Sequence, residues 1–249
     1  MFDNTLAAAT LLSPNRRART HGIDTLTIHH AACVGASAAD VGRLFLDPAR
    51  KASCNYAIGN DGDVALVVPE AYAALTSSNR ANDDRAVTIE VANCGGAPDW
   101  PVSDAAMASL VALCADVCRR NGIDALRWRG DPALVGQPDK QNMTVHRWFA
   151  ATACPGDCLY NKMGEIAERV NALLAADEPG ADPDTTAPEP APRVRSLDDA
   201  PLWARPTLEK LVSRGILEGK GGDKGLDLGE DMTRLLVILD RAGTFENGK

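Results

Sequence analysis

The sequence has no excess of positive charge, no long apolar run and no regular cysteine framework, and each absence narrows the reading. Lys and Arg number 26 against 34 Asp and Glu, for a formal net charge of -8. No basic stripe or arginine-rich arm stands out, so general nucleic-acid binding is not expected. Nor is there a reason to expect an anionic membrane surface as partner. No stretch is long and apolar enough to span a bilayer. The first twelve residues lack a basic leading region, and their short apolar run is preceded by Asp3, unlike a secretory signal. Synthesis in the cytoplasm is therefore expected, with any action outside it depending on release by another route. Seven cysteines (Cys33, Cys54, Cys94, Cys114, Cys118, Cys154 and Cys158) are an odd number, spaced unlike a small secreted disulfide scaffold. Mostly free thiols are expected. Aromatics are sparse at 4%, while the hydrophobic fraction of 45% is ordinary for a globular protein.

What is present reads as one large domain and one small one within 249 residues. Residues 1–22 are polar, carry Arg16, Arg17 and Arg19, and read as a segment packed on the surface. Residues 24–29 are β-branched and alternate in polarity, which predicts a strand. His29 and His30 then face opposite sides. A helix is expected from Ser37 through Val41, Leu44 and Phe45 to Pro48. Two apolar runs flank Asn60-Asp61-Gly62 as in a β-hairpin. Residues 70–85 show little periodicity and read as a polar loop, the kind that lines sites beside a sheet. Residues 86–93, Ala-Val-Thr-Ile-Glu-Val-Ala-Asn, form the clearest strand. Ser103 is a good N-cap for a helix with Met107, Leu110, Val111, Cys114, Val117 and Cys118 on its apolar stripe, and Gly122 stops it. Asp157 is expected to cap a last helix carrying Leu159, Met163, Ile166, Val170, Leu173 and Leu174. Composition changes near residue 177. Residues 177–195 are rich in Pro and Asp and predict an extended linker. Residues 196–249 regain periodicity as a small helical module.

The chemistry gathers in residues 144–160. His146 is followed eight positions later by Cys154, and imidazole and thiolate are favoured zinc ligands. A third ligand has to come from elsewhere, and His29, at the end of its apolar run, is the candidate. Glu90 stands inside an otherwise apolar strand. A buried carboxylate without a role costs free energy, and desolvation raises its pKa toward the general-base range. Spacing alone leaves blander readings open. His29 could be a hydrogen-bonded core residue, and Glu90 an ion-pair partner of Arg85 or Arg147.

Four motifs carry a resemblance: Thr27-Ile-His-His-Ala, the hairpin from Asn55 to Gly62, Val87-Thr-Ile-Glu-Val, and the run from His146 to Gly156. On these, residues 24–175 resemble the type-2 N-acetylmuramoyl-L-alanine amidase family, which includes phage endolysins, autolysins and peptidoglycan-recognition proteins. The resemblance implies zinc held by His29, His146 and Cys154, with Glu90 as catalytic base. It implies an α/β (α+β) fold: a central mixed β-sheet flanked by helices, with the zinc cleft at the sheet edge. Some members place a catalytic tyrosine where this chain has Cys54. Tyr56, two positions on, is expected to face the same side and to stand in partly. Thr152, two before the cysteine, reads either as an oxyanion donor or as a loop cap. Ser78 and Asn79 are expected to contact substrate, and Trp148 either to join them or to pack.

The implied reaction is hydrolysis of the amide between N-acetylmuramic acid and L-alanine in bacterial peptidoglycan, by an endolysin or an autolysin. Release would be holin-assisted if the protein is phage-derived. The competing reading is a non-catalytic peptidoglycan-recognition module. Members of that kind typically lose a zinc ligand, whereas this chain keeps all three. The implied domain limits are 1–176 for catalysis, 177–195 for the linker and 196–249 for the module. That module, with Trp203-Ala204, Gly215-Ile216 and Thr233-Arg234, resembles one S-layer-homology-like repeat, and such repeats bind secondary cell-wall polymers. A single copy leaves open a homodimer, weak binding or a spacer, with Arg234 the position to test.

Overall fold

Two alternating segments separated by more than fifty residues lie side by side at the centre of the sheet. In this computed structural model, residues 6–176, 194–201, 203–217, 225–226, 228–241 and 243–245 are described. Among them the strands are β1 (Ala9–Thr10), β2 (Arg16–Ala18), β3 (Thr25–Val34), β4 (Tyr56–Ile58), β5 (Val64–Leu66), β6 (Tyr72–Ala74), β7 (Ala86–Asn93) and β8 (Met143–Val145). The helices are α1 (Ala38–Arg43), α2 (Arg80–Arg85), α3 (Asp104–Asn121), α4 (Gly156–Ala175), α5 (Arg205–Ser213) and α6 (Glu230–Arg241). The chain divides into two compact units, Met1–Ala181 and Asp182–Lys249.

The first unit holds a six-stranded mixed sheet in the order β1-β5-β4-β7-β3-β8. Its centre is parallel, β8 with β3, β3 with β7 and β7 with β4, while β4 and β5 form the antiparallel hairpin. Gly62 turns that hairpin at φ +87, and a Cβ there would meet the Ala105 carbonyl oxygen at 2.9 Å. One sheet face buries Leu26, Ile28, Val87, Ile89, Met143 and Val145 against Leu110 and Cys114 of α3 and Leu159 and Met163 of α4. Truncating such a buried aliphatic to Ala costs about 2–5 kcal/mol. Helix α3 forms as its pattern predicts: Ser103 caps it by accepting from the Ala106 N–H, and Gly122 ends it at φ +68.

The opposite face is polar at its middle. Thr27 and Thr144 share a hydrogen bond of 2.8 Å, and Asn82 of α2 bonds both. Small residues (Ala38, Cys54, Ala57, Ala65 and Ala92) let α1 approach the sheet beside them.

Several expectations change. Residues 70–85 are not a plain loop: β6 pairs antiparallel with β2, and α2 follows, capped by Asn79. The arginines of the N-terminal segment bind inward. Arg17 pairs with Asp84 at 3.0 Å, and Arg19 donates to the carbonyls of Glu70, Tyr72, Asp83 and Asp84. Short strands rich in charge carry no apolar alternation, so the sequence pattern conceals them. Asp157 does not cap α4. It sits in the first turn and pairs with Arg147 at 3.1 Å. The chain bends at Asn55, which interrupts the strand alternation just before β4, and the Asn55 carbonyl accepts from both Val67 and Val68 N–H groups, a bulge in the segment after β5.

In the second unit, α5 and α6 pack around Ala204, Leu208, Leu211 and Val237. Lys210 and Thr207 of α5 bind Asp240 of α6 at 2.7 and 2.9 Å. Most of the expected linker, residues 177–193, lies outside the described residues. No described helix is long and apolar enough to cross a membrane.

Candidate active site

Parallel pairing sets the site. In register, His29 of β3 lies beside Glu90 of β7, and Ala57 of β4 lies beside Glu90. Strand β8 pairs Val145 with Ile28, so His146 follows the strand at its C-terminal end, next to His29. Residues in register on parallel strands share a face. The row His146, His29, Glu90 therefore comes from three neighbouring strands far apart in sequence. Beyond His146, the Arg147 N–H donates to the Cys154 carbonyl at 3.1 Å, closing the intervening loop. That closure brings Cys154 back to the row.

The ligand atoms of His29, His146 and Cys154 all lie within 4.8 Å of one another. Cys154 Sγ is 3.3 Å from His29 Nδ1, and the two imidazole centroids are 5.1 Å apart. Burial, reinforced by His146 and His30, pushes the pKa of His29 well below its usual value, and burial lowers that of His146. Both rings are thus held neutral, the form that ligates metal. Burial raises the Cys154 thiol pKa, and the nearby Glu90 adds to this. A thiolate there calls for a compensating cation. His29 Nε2 is buried and has no hydrogen-bond partner. Two nitrogen donors and one sulfur donor, with this uncompensated polarity, fit a metal ion.

Glu90 completes the row. Its Oε1 is 3.9 Å from His29 Nδ1, and its Oε2 is buried without a partner. Desolvation pushes its carboxyl pKa up to about 8, with Arg50 acting in the opposite sense. The ion-pair alternatives fall away, because Arg85 binds Asp24 and Arg147 binds Asp157. His30 points to the other side, with Nδ1 3.3 Å from Asn93 Oδ1 and its ring against Trp100.

The remaining expected site residues divide. Ser78 belongs to the site: its Oγ is 3.3 Å from His146 Nε2, on a backbone held at φ +63. Asn79 accepts from the Asn82 N–H as the cap of α2. Thr152, an exposed residue, accepts from the Cys154 N–H at 3.2 Å and so caps the ligand loop. Trp148 stacks on Trp128 with centroids 5.0 Å apart and packs against the core. Tyr56 must be withdrawn from the substrate-binding set. It is 2% exposed, pairs in register with Ile89 on the core face, and donates to Glu70 at 2.7 Å. The interrupted alternation at Asn55 is the reason. Cys54 and Ala57, not Cys54 and Tyr56, share a face, and Cys54 lies buried close to Glu90.

Two contributors escaped the sequence reading. Asp83 accepts from Ser77 Oγ at 2.6 Å and from the Ser77 and Thr76 N–H groups, fixing the loop that carries Ser78. Arg50 shares a small cleft with Glu90 and His146. Neither stands in an apolar pattern where it would be conspicuous.

Residues 18–157 match the family of N-acetylmuramoyl-L-alanine amidases. The chain belongs to this family. The amidase fold is similar to that of a PlyL mutant at 13% identity, covering 66% of this chain and 98% of that one, with a TM-score of 0.50. A mutant endolysin from Bacillus subtilis is similar at 17% identity, 66% and 99% coverage and a TM-score of 0.49. So is the Drosophila Peptidoglycan Recognition Protein PGRP-SA, at 18% identity, 63% and 90% coverage and a TM-score of 0.46. No curated protein sequence matches the chain. At such identities the likeness is one of fold. The expected class, a central mixed sheet flanked by helices, is the one formed.

Proposed function

We propose that the chain is a zinc-dependent amidase that cuts the bond between the lactyl group of N-acetylmuramic acid and L-alanine in peptidoglycan. The observation that carries this reading is the convergence of His29, His146 and Cys154 beside an uncompensated Glu90. Zinc held by those three side chains would acidify water and polarise a carbonyl as a Lewis acid. Glu90 takes the proton of the attacking water and returns one to the leaving amine. Its burial is what makes it basic enough, with Arg50 acting in the opposite sense. In this reading the hydroxyl of Thr152, an exposed residue two before Cys154, donates to the developing oxyanion, supported by its bond to the Cys154 N–H. Ser78 steadies the His146 ring and borders the open side of the site.

Residues 1–176 form the catalytic part in this reading, 177–195 a tether and 196–249 an S-layer-homology-like wall-binding module. In the module, Trp203, Arg234, Val237, Ile238 and Arg241 line a groove of ≈ 450 Å³ that could take a wall polymer. Tethering would raise the local concentration of substrate. Digestion of purified sacculi tests the whole. New L-alanine N-termini should appear and should vanish with a chelator. Binding to sacculi without such termini would make the chain a recognition module instead. Deleting residues 177–249 should weaken sedimentation with cell walls, and undiminished sedimentation would remove the anchoring role.

A further inference from the structure

Glu90 and His146 line a cleft of ≈ 150 Å³. Its walls are apolar, with Ala31, Leu44, Phe45 and Leu75 among them. The polar side chains in those walls are already used. Ser53 Oγ donates to the Asn15 carbonyl at 2.5 Å, and Thr76 Oγ1 donates to the Ser53 carbonyl at 2.6 Å. Arg50 is different. It is exposed at the rim, its guanidinium lies 5.2 Å from the centroid of the Phe45 ring, and among the described residues no carboxylate pairs with it. Its backbone is fixed: it ends the turn Pro48–Arg50, which the Asp47 side chain caps through the Ala49 N–H at 2.8 Å. The next residue, Lys51, is held at φ +52. A guanidinium laid on an aromatic face keeps its N–H edge free for a planar anion. Arg50 lines the same cleft as Glu90.

We propose that Arg50 is a substrate-recognition residue, pairing with the free carboxylate of the stem-peptide residue that follows the scissile L-alanine. This rests on the amidase reading. The cleft beside Glu90 has room for a small side chain of the stem peptide, and the apolar part of its wall suits one. In peptidoglycan the second stem residue is joined through its side-chain carboxyl. Its α-carboxyl group is therefore left over, either free or converted to an amide. A cation on the wall of that cleft distinguishes those two forms by charge. The amide keeps the shape and loses the ion pair.

The test uses the full-length, zinc-loaded protein and two soluble muramoyl peptides that differ only in that carboxylate or amide. Wild type should prefer the carboxylate by about fivefold in kcat/KM at low salt, the range of an exposed ion pair, and less as salt rises. Arg50→Gln should lose the preference by raising KM for the carboxylate form more than for the amide form. Arg50→Lys should keep part of it. Arg50 is exposed, so all variants should melt with the wild type. If Arg50→Gln slows both peptides equally, or leaves the preference intact, the inference falls while the amidase reading stands. If wild type cuts neither peptide, the amidase reading fails and this inference with it.

Discussion

The two faces of the central sheet each bury a glutamate, and the contrast between them separates structure from chemistry. On the α3 side, Glu70 is fully supplied. It accepts from Tyr56 Oη and Arg120 at 2.7 Å and from Asn121 at 3.0 Å, and Arg120 is shared with Asp116. On the other side, Glu90 has only His29 at 3.9 Å, and its second oxygen has no partner. A buried carboxylate that is paired and hydrogen-bonded is tied into the fold. One that is desolvated and unpaired costs stability, and its raised pKa is the property a proton-transfer residue needs. Glu90 stands on β7 itself, whereas Glu70 lies in the turn between β5 and β6 and is reached by Tyr56 of β4, the neighbour of the Ala57 that pairs with Glu90.

The largest effect should come from the ligand cluster. Cys154→Ala is expected to abolish zinc binding, read as metal per protein after dialysis, and with it L-alanine release. Retained one-to-one zinc would break the account of the cluster. Glu90→Gln should lower kcat by about 10²–10⁴, the usual share of a general base, with zinc still bound. Glu70→Gln should do the reverse, destabilising the fold by about 1.5–3 kcal/mol in urea, because Arg120 loses one charged partner and keeps Asp116. Its rate per folded molecule should be preserved.

How much of this was legible follows from where each residue stands. His29 and Glu90 were visible because a titratable side chain interrupts an apolar strand. His146 and Cys154 were visible by residue type and spacing. Their meeting was not, since it depends on β8, β3 and β7 lying side by side, and non-adjacent pairing leaves no local pattern. Tyr56 went wrong because the bend at Asn55 reverses the side chains after it relative to Cys54. The β2–β6 ribbon was hidden because its strands are short and β2 is charged. Arg50 was hidden in a three-residue turn.

Smaller effects sharpen the contrast further. Tyr56→Phe should cost about 1–2 kcal/mol, one buried hydrogen bond to a carboxylate, and leave turnover nearly unchanged. A large loss of turnover would restore Tyr56 to the site. The metal-free protein should also reveal Glu90 through pH. Its folded pKa, about 8, lies above the ordinary 4.5. The folded state therefore holds the proton more tightly, and stability is fully present below 4.5 and declines as pH rises toward 8. Urea midpoints between pH 5 and 9 should show that decline, and Glu90→Gln should flatten it.

The most direct measurement sets Glu90→Gln beside Glu70→Gln in one experiment, recording L-alanine release from sacculi per folded molecule together with the urea midpoint. The account predicts that Glu90→Gln loses release and keeps or raises its midpoint, while Glu70→Gln keeps release and loses midpoint. Release by Glu90→Gln at the wild-type rate would contradict the assignment of proton transfer to that strand.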